Sequence, residues 1–171
     1  MNKRIEKLQD YSVYFDFFDR NGINSKIFPQ EFFPIIALFA EDCRYKLKEC
    51  YLHMSRLFIS GGYKGKTCSL MLRINPGEEY GLVIASVQFV HQRKGYFTRL
   101  VAILEDIRKA NSLGAVMIES VISPKMKNWV KKYGWIEMIP KSGNYISKET
   151  IKRAYKKIGI TWKESMLKLH M

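Results

Sequence analysis

Apolar and polar positions change period several times along the chain, and each change marks an element. Between residues 3 and 20, Ile5, Leu8, Tyr11, Val13, Phe15 and Phe18 recur mostly at helical spacing, and Asn21-Gly22 closes the pattern with a C-cap signal. A first helix is predicted there. A short extended piece, Ser25 to Phe28, leads to Pro29, which suits a helix start. The next pattern, Phe32, Phe33, Ile35, Ile36, Leu38, Phe39, Cys43, Leu47 and Cys50, predicts helical structure towards Phe58, as two helices broken near Lys46. On that reading Cys43 and Cys50 share a core face, seven residues apart.

Gly61-Gly62-Tyr63-Lys64-Gly65 predicts a turn, after which Thr67 to Ile74 and Gly81 to Val90 read as strands rich in β-branched and aromatic residues. Asn75-Pro76-Gly77-Glu78-Glu79 between them predicts an antiparallel hairpin. The period then returns to helical at Leu100, Val101, Ile103, Leu104 and Ile107. Asn111 to Gly114 ends that helix, and Ala115 to Ile122 has the short apolar run of a buried strand. Ser123-Pro124 has the order of an N-cap followed by proline at the first helical position, and the helix it starts ends at Tyr133-Gly134. Trp135 to Ile139 predicts one more strand. Beyond Pro140, a loop over Lys141-Ser142-Gly143-Asn144 precedes a short strand at Tyr145-Ile146 and a basic helix from about Ser147 to Ile158. No repeat or linker divides the chain, so the expectation is one α/β domain of residues 1–171 with a mixed sheet flanked by helices.

Composition narrows the function classes. The 171 residues are 47% hydrophobic and 26% charged, which excludes a disordered or collagen-like chain. Three cysteines, Cys43, Cys50 and Cys68, lack the spacing of a zinc or redox site and fit a reducing cytosol; no metal is expected. The start, Met1 to Lys7, has no apolar run behind it and does not read as a secretory signal. The longest apolar run, Phe32 to Ala40, is far short of the roughly 20 residues of a membrane helix. The net charge is +13, and residues 121–171 hold 12 basic and 3 acidic side chains. That excess reads either as a solvated face or as a surface for nucleic acid, an acidic protein or a phosphorylated cofactor.

The stretch richest in chemistry is Ala85 to Leu100, a strand that turns through the basic, glycine-bearing loop Gln92-Arg93-Lys94-Gly95 into an amphipathic helix. Free N–H groups and the dipole at a helix N-terminus stabilise phosphate oxygens, and glycine lets the backbone approach them closely. The loop lacks both the phosphate-loop and the dinucleotide glycine spacings. His91 beside it is either an exposed loop histidine or a group titrating near neutral pH.

With Gln92-Arg93-Lys94-Gly95-Tyr96-Phe97 in place of Q/R-x-x-G-x-G/A, the chain resembles the GNAT superfamily of acetyl-CoA-dependent N-acetyltransferases over residues 67–139. A second segment, Ser123 to Trp135, resembles the family's N-x-x-A-x-x-L-Y-x-x-x-G-F element and keeps its Gly134-Trp135 ending. The departures are Phe97 for a small residue, Ser123 for the asparagine, Met126 for the alanine and Val130 for the tyrosine. The resemblance implies a GNAT-like fold with a coenzyme A site at residues 67–139, a helical part at 1–60 and a basic part at 140–171. It implies an acyltransferase using acetyl-CoA as cosubstrate; the basic C-terminal part would repel a cationic acceptor, which ranks an amine on nucleic acid or on an acidic protein first. The alternative is a diverged protein of that fold that binds or modifies nucleic acid.

Carried onto this sequence, the resemblance implies a backbone N–H of Phe89 or Val90 aimed at the thioester oxygen. Gln92, Arg93, Lys94, Gly95, Tyr96, Phe97 and Thr98 would hold the phosphates, and Asn128 would also face coenzyme A. Glu119, on the strand after the loop helix, is the candidate base, since an amine of pKa about 10.4 must lose a proton before it attacks. The family's usual acid has Val130 in its place. Ser123 and Tyr133 are the remaining catalytic candidates, although Tyr133 lies about 300° further around the helix than Val130. Cys68, at the start of the hairpin, reads as core.

Overall fold

The helix expected to run towards Phe58 stops at Asp42. In the computed structural model, which describes residues 30–53, 55–74, 81–111, 113–138 and 141–150, a short 3-10 turn leads into α1 (Phe33–Asp42). Arg44 and Tyr45 then take left-handed backbone angles (φ 52° and 63°), which no helix continues through. In place of the expected second helix stand two strands, β1 (Leu47–His53) and β2 (Arg56–Tyr63), joined at Ser55, itself at φ 59°. The correction has a sequence basis, because Leu57, Ile59 and Gly61 are buried at alternate positions, which is the period of a strand. Helical spacing of Cys43, Leu47 and Cys50 is fortuitous: Cys43 caps α1 and Cys50 points into the core from β1.

Gly61 and Gly62 lie inside β2 rather than in a turn, which is confined to Lys64-Gly65. Gly61 is required there because a Cβ would stand 2.9 Å from the Lys46 carbonyl oxygen and 3.1 and 3.2 Å from the sulfurs of Cys43 and Cys68.

The remaining elements keep the expected order: β3 (Lys66–Ile74), β4 (Leu82–Gln88), α2 (Tyr96–Ala110), β5 (Val116–Ile118), α3 (Pro124–Lys132), β6 (Ile136–Glu137) and β7 (Tyr145–Ile146). Ser123 is the N-cap of α3 and accepts the Met126 N–H, as its sequence position predicts. The predicted helix at 3–20, the extended piece before Pro29 and the 75–79 turn lie outside the described residues. Of the predicted basic helix only Lys148 to Thr150 fall inside them as helix.

The seven strands among the described residues form one mixed sheet in the order β1-β2-β3-β4-β5-β7-β6. β1 to β4 are an antiparallel meander, β5 joins β4 in parallel, and β7 inserts antiparallel between β5 and β6. Cross-strand partners share a face, so the register aligns Leu57, Leu72, Ile84, Ile118 and Tyr145 in one row, all buried. Ile35, Ile36 and Phe39 of α1 and Leu100, Leu104 and Ile107 of α2 belong to the same core. Full burial of each such aliphatic side chain stabilises the fold by about 2 kcal/mol. The neighbouring row, Arg73, Val83, Met117 and Ile146, lies on the opposite face. No helix among the described residues is long and apolar enough to cross a membrane.

Candidate functional site

The site is created where β4 leaves β5. Their parallel ladder pairs Leu82 with Val116, Val83 with Met117 and Ile84 with Ile118, and the Glu119 N–H adds one bond to the Ile84 carbonyl (3.0 Å). On the other side β3 pairs Leu72 with Ile84 but Met71 with Ser86, so Ala85 is an extra residue on β4. A bulge of this kind bends a strand and raises its twist. Beyond it β4 continues along β3 to Gln88 without a partner on its β5 side among the described residues.

At that opening lies a cavity of about 440 Å³. Its β4 wall is Val87, Gln88 and Phe89, and its far wall is α3, with Met126 and Trp129. The third side is the loop. Arg93 (φ 64°) and Gly95 (φ 79°) are left-handed and Lys94 between them is not. Gly95 is the N-cap of α2 and supplies no side-chain cap, and no acidic residue stands in the first turn. The first N–H groups of α2, at Tyr96, Phe97 and Thr98, have no intrahelical acceptors. Glycine is needed at residue 95 for its φ alone, since a Cβ there would meet nothing within 4 Å.

Two acidic residues at the end of α1 hold this loop in place. Asp42 is fully buried; its carboxylate accepts the Val90 N–H (2.6 Å) and the His91 N–H (2.9 Å), and His91 Nδ1 lies 2.9 Å from its carbonyl oxygen. Glu41 receives both terminal nitrogens of Arg99 (3.0 and 2.8 Å) and the Tyr96 hydroxyl (3.3 Å). Burial first, then the nearby Glu41 and Asp42 charges, push the Tyr96 phenol above its usual range. The hydrogen bond to Glu41 does the same for the Arg99 guanidinium. Phe89 is stacked between Phe39 (4.8 Å) and Tyr96 (5.6 Å).

Most of the sequence-predicted residues converge here. Gln92, Arg93, Gly95, Tyr96, Phe97 and Thr98 line the cavity with Phe89, and Ser123 and Tyr133 border it from the two ends of α3. Gln92 accepts from Lys125 Nζ (3.3 Å), and Thr98 accepts from the Trp129 indole N–H (3.2 Å), so the loop and α3 are tied across the opening. Phe97 packs edge-on against Trp129 at 4.6 Å. Tyr133 is exposed and rests on the same indole, also at 4.6 Å. Val130, by contrast, is fully buried in the core.

Four predicted residues stand elsewhere. The N–H of Val90 is taken by Asp42, so it is not available as a donor to a ligand. Lys94 and Asn128 are exposed and do not border the cavity. Glu119 also lies off the cavity: two residues after Met117, it is on the sheet face opposite the core row and is ion-paired with Arg73 of β3. His91 is neither free nor in solvent alone but docked on Asp42.

Sequence reasoning missed Glu41, Asp42, Trp129 and Lys132. The acidic pair ends a strongly apolar helix, and Asp42 lies 48 residues before its partner Val90; no local pattern announces a pairing at that separation. Trp129 and Lys132 were legible as the cavity-facing side of α3 once Val130 was placed in the core. Among the described residues no cluster of side chains could hold a metal ion. Comparison with protein-family models, with curated proteins and with solved structures finds no match.

Proposed function

We propose that the protein is an N-acyltransferase of GNAT-like fold that moves an acetyl group from acetyl-CoA to an amine. The observation that carries this reading is the opening between the parallel strands β4 and β5, bounded by the uncapped N-terminus of α2. The element order supports it, with a hairpin, a basic glycine loop, a helix, a strand, a helix and a strand in succession. The uncapped N–H groups at the start of α2, with Arg93, suit a pyrophosphate. Val87, Phe89, Phe97 and Met126 offer apolar surface to the pantetheine arm.

In the proposed reaction the acceptor nitrogen attacks the thioester carbonyl carbon, the C–S bond breaks and coenzyme A leaves as thiolate. Phe89, whose N–H is not engaged by Asp42, is the donor for the developing oxyanion. Glu119 sits at the end of β5, one hydrogen bond from Ile84, where β4 begins to diverge. Because Glu119 lies off the cavity and is paired with Arg73 on the far face of the sheet, water would take the proton of the attacking amine. Tyr133, or Ser123, would return a proton to the thiolate; a thiol of pKa about 8.5 can also depart unprotonated. Burial of Val130 favours a second reading, in which the fold binds its ligand without turnover.

Thermal unfolding with acetyl-CoA, ATP or phosphate tests the site. A shift of roughly 5 °C at 100 times the dissociation constant, specific to acetyl-CoA, is expected. Gly95→Val, which forces a β-branched residue to φ 79°, should abolish that shift. No shift at millimolar acetyl-CoA would refute the reading, and a shift without acetyl transfer to any amine would favour the second one.

A further inference from the structure

Beyond the cavity, a second cluster of cations stands at the adjoining end of the sheet. The turn after α1 carries Arg44, Tyr45 and Lys46, and the β2–β3 turn carries Lys64 and Lys66. The Gly62 N–H donates to the Lys46 carbonyl at 3.2 Å, which sets the two turns side by side. Three of these cations surround one ring: the Arg44 guanidinium carbon is 4.8 Å, Lys64 Nζ 5.6 Å and Lys46 Nζ 5.7 Å from the centre of Tyr63. None of the three is in an ion pair among the described residues. Charges of one sign gathered this closely repel, and a polyanion would relieve the repulsion.

Backbone geometry points the same way. Arg44 and Tyr45 have left-handed angles (φ 52° and 63°), whereas that of Lys64 (φ 50°) belongs to its two-residue hairpin turn with Gly65. Such positions, at the end of a helix above all, normally carry glycine or asparagine. Long basic and aromatic side chains held there cost conformational energy, and such cost concentrates at binding sites. Tyr45 is 60% exposed. The Tyr63 ring lies 6.4 Å from that of His91, so the patch runs into the loop bearing Arg93 and Lys94 at the cavity mouth.

We infer that this patch is a binding surface for single-stranded nucleic acid, its phosphates seated on Arg44, Lys46 and Lys64 and a base stacked on Tyr45. An acidic peptide would satisfy the charge and leave the exposed ring unused, whereas a nucleic acid supplies both phosphate and a flat π-face. On the acyltransferase reading, this strand carries the acceptor amine to the cavity; that step rests on the reading, and the surface itself does not.

Fluorescence anisotropy of the full chain with a labelled oligothymidylate of about 12 nucleotides tests it. Arg44→Asn/Lys46→Ser/Lys64→Asn keeps residues tolerant of left-handed angles at the two left-handed positions. It should weaken binding at least about tenfold and flatten the slope of log affinity against log salt by about two. Tyr45→Asn should weaken binding about tenfold with the slope unchanged, and it carries the test alone if the triple variant does not unfold cooperatively. Unchanged binding in both variants overturns the proposal. So does loss confined to Lys152→Ser/Arg153→Ser/Lys156→Ser/Lys157→Ser, or equal affinity for duplex DNA. Displacement by polyglutamate as efficient as by unlabelled strand would overturn it in favour of an acidic protein. The acetyl-CoA thermal shift, measured on the same variants, should persist. Its absence from the unaltered protein as well would remove the acyltransferase reading and leave the strand-binding result standing.

Discussion

The two halves of the sheet are built differently. β2 and β3 pair without interruption from Arg56–Arg73 to Tyr63–Lys66, and β1 and β4 extend that meander on either side. Beyond β4, the ladders shrink to Leu82–Ile84 against Val116–Ile118, then to the two-residue strands β6 and β7. Long antiparallel ladders with one buried row make a stiff frame. Short ladders leave backbone groups and space unused, and the cavity occupies that space. The candidate site thus exists because pairing stops early, and its loop needs a clamp from outside the sheet. α1 supplies the clamp through Glu41 and Asp42.

If the meander is the frame, its core should be costlier to disturb than the added strands. Leu72→Ala, at a fully buried position in β3, should lower unfolding free energy by about 3 kcal/mol in urea denaturation. Ile146→Ala, at a half-buried position in β7, should cost about 1 kcal/mol. Equal losses would break the comparison.

The clamp comes next. Asp42→Ala leaves the buried Val90 N–H and the partly buried His91 N–H without their acceptor, at a cost of about 2 kcal/mol. On the proposed acyltransferase reading, the acetyl-CoA thermal shift should disappear with it, because the loop is no longer held by α1. Retention of the full shift would show that the loop keeps its shape unaided.

Alkaline titration separates the halves more finely. Burial pushes the Cys50 thiol in β1 from 9.0 up to about 12, and Tyr96 beside the cavity is raised above 10.0. A pKa raised by folding means that the native state holds its proton more tightly. The stability it contributes is complete below the unfolded value and is lost as pH climbs through the native one. Melting temperature should therefore hold level to about pH 9 and fall from there towards pH 12. Cys50→Ala should remove part of the early decline and Tyr96→Phe part of the decline above pH 10. A melting temperature independent of pH over that range would contradict both.

The smallest effect is at the outer clasp. Arg99 is half exposed, so losing its paired bonds to Glu41 through Arg99→Ala should cost only about 0.5 kcal/mol in the same urea experiment. A cost above that of Asp42→Ala would reverse the assignment of Asp42 as the main anchor.

From Lys66 onward, local patterning sufficed. Alternation marked β3 and β4, the 3.6-residue period marked α2, and Ser123-Pro124 marked the start of α3, because each signal lies within one element. The loop at Gln92–Gly95 was legible for the same reason: a basic glycine turn between strand and helix is read within a few residues. The stretch 47–58 was not, since a strand such as β1, with Cys50 its single buried residue, offers too few apolar positions to separate the two periods.

Local patterns thus sufficed for the order of elements from β3 to β7 and for the basic glycine loop at the cavity. Long-range contacts set the rest: β4 and β5 part after Ile84, Val90 is spent on Asp42, Glu119 pairs with Arg73 across the sheet, and Arg44, Lys46 and Lys64 gather around Tyr63. Those contacts join residues up to 48 positions apart, set by register and by the docking of α1, and a periodicity of two or 3.6 residues carries no information at that range.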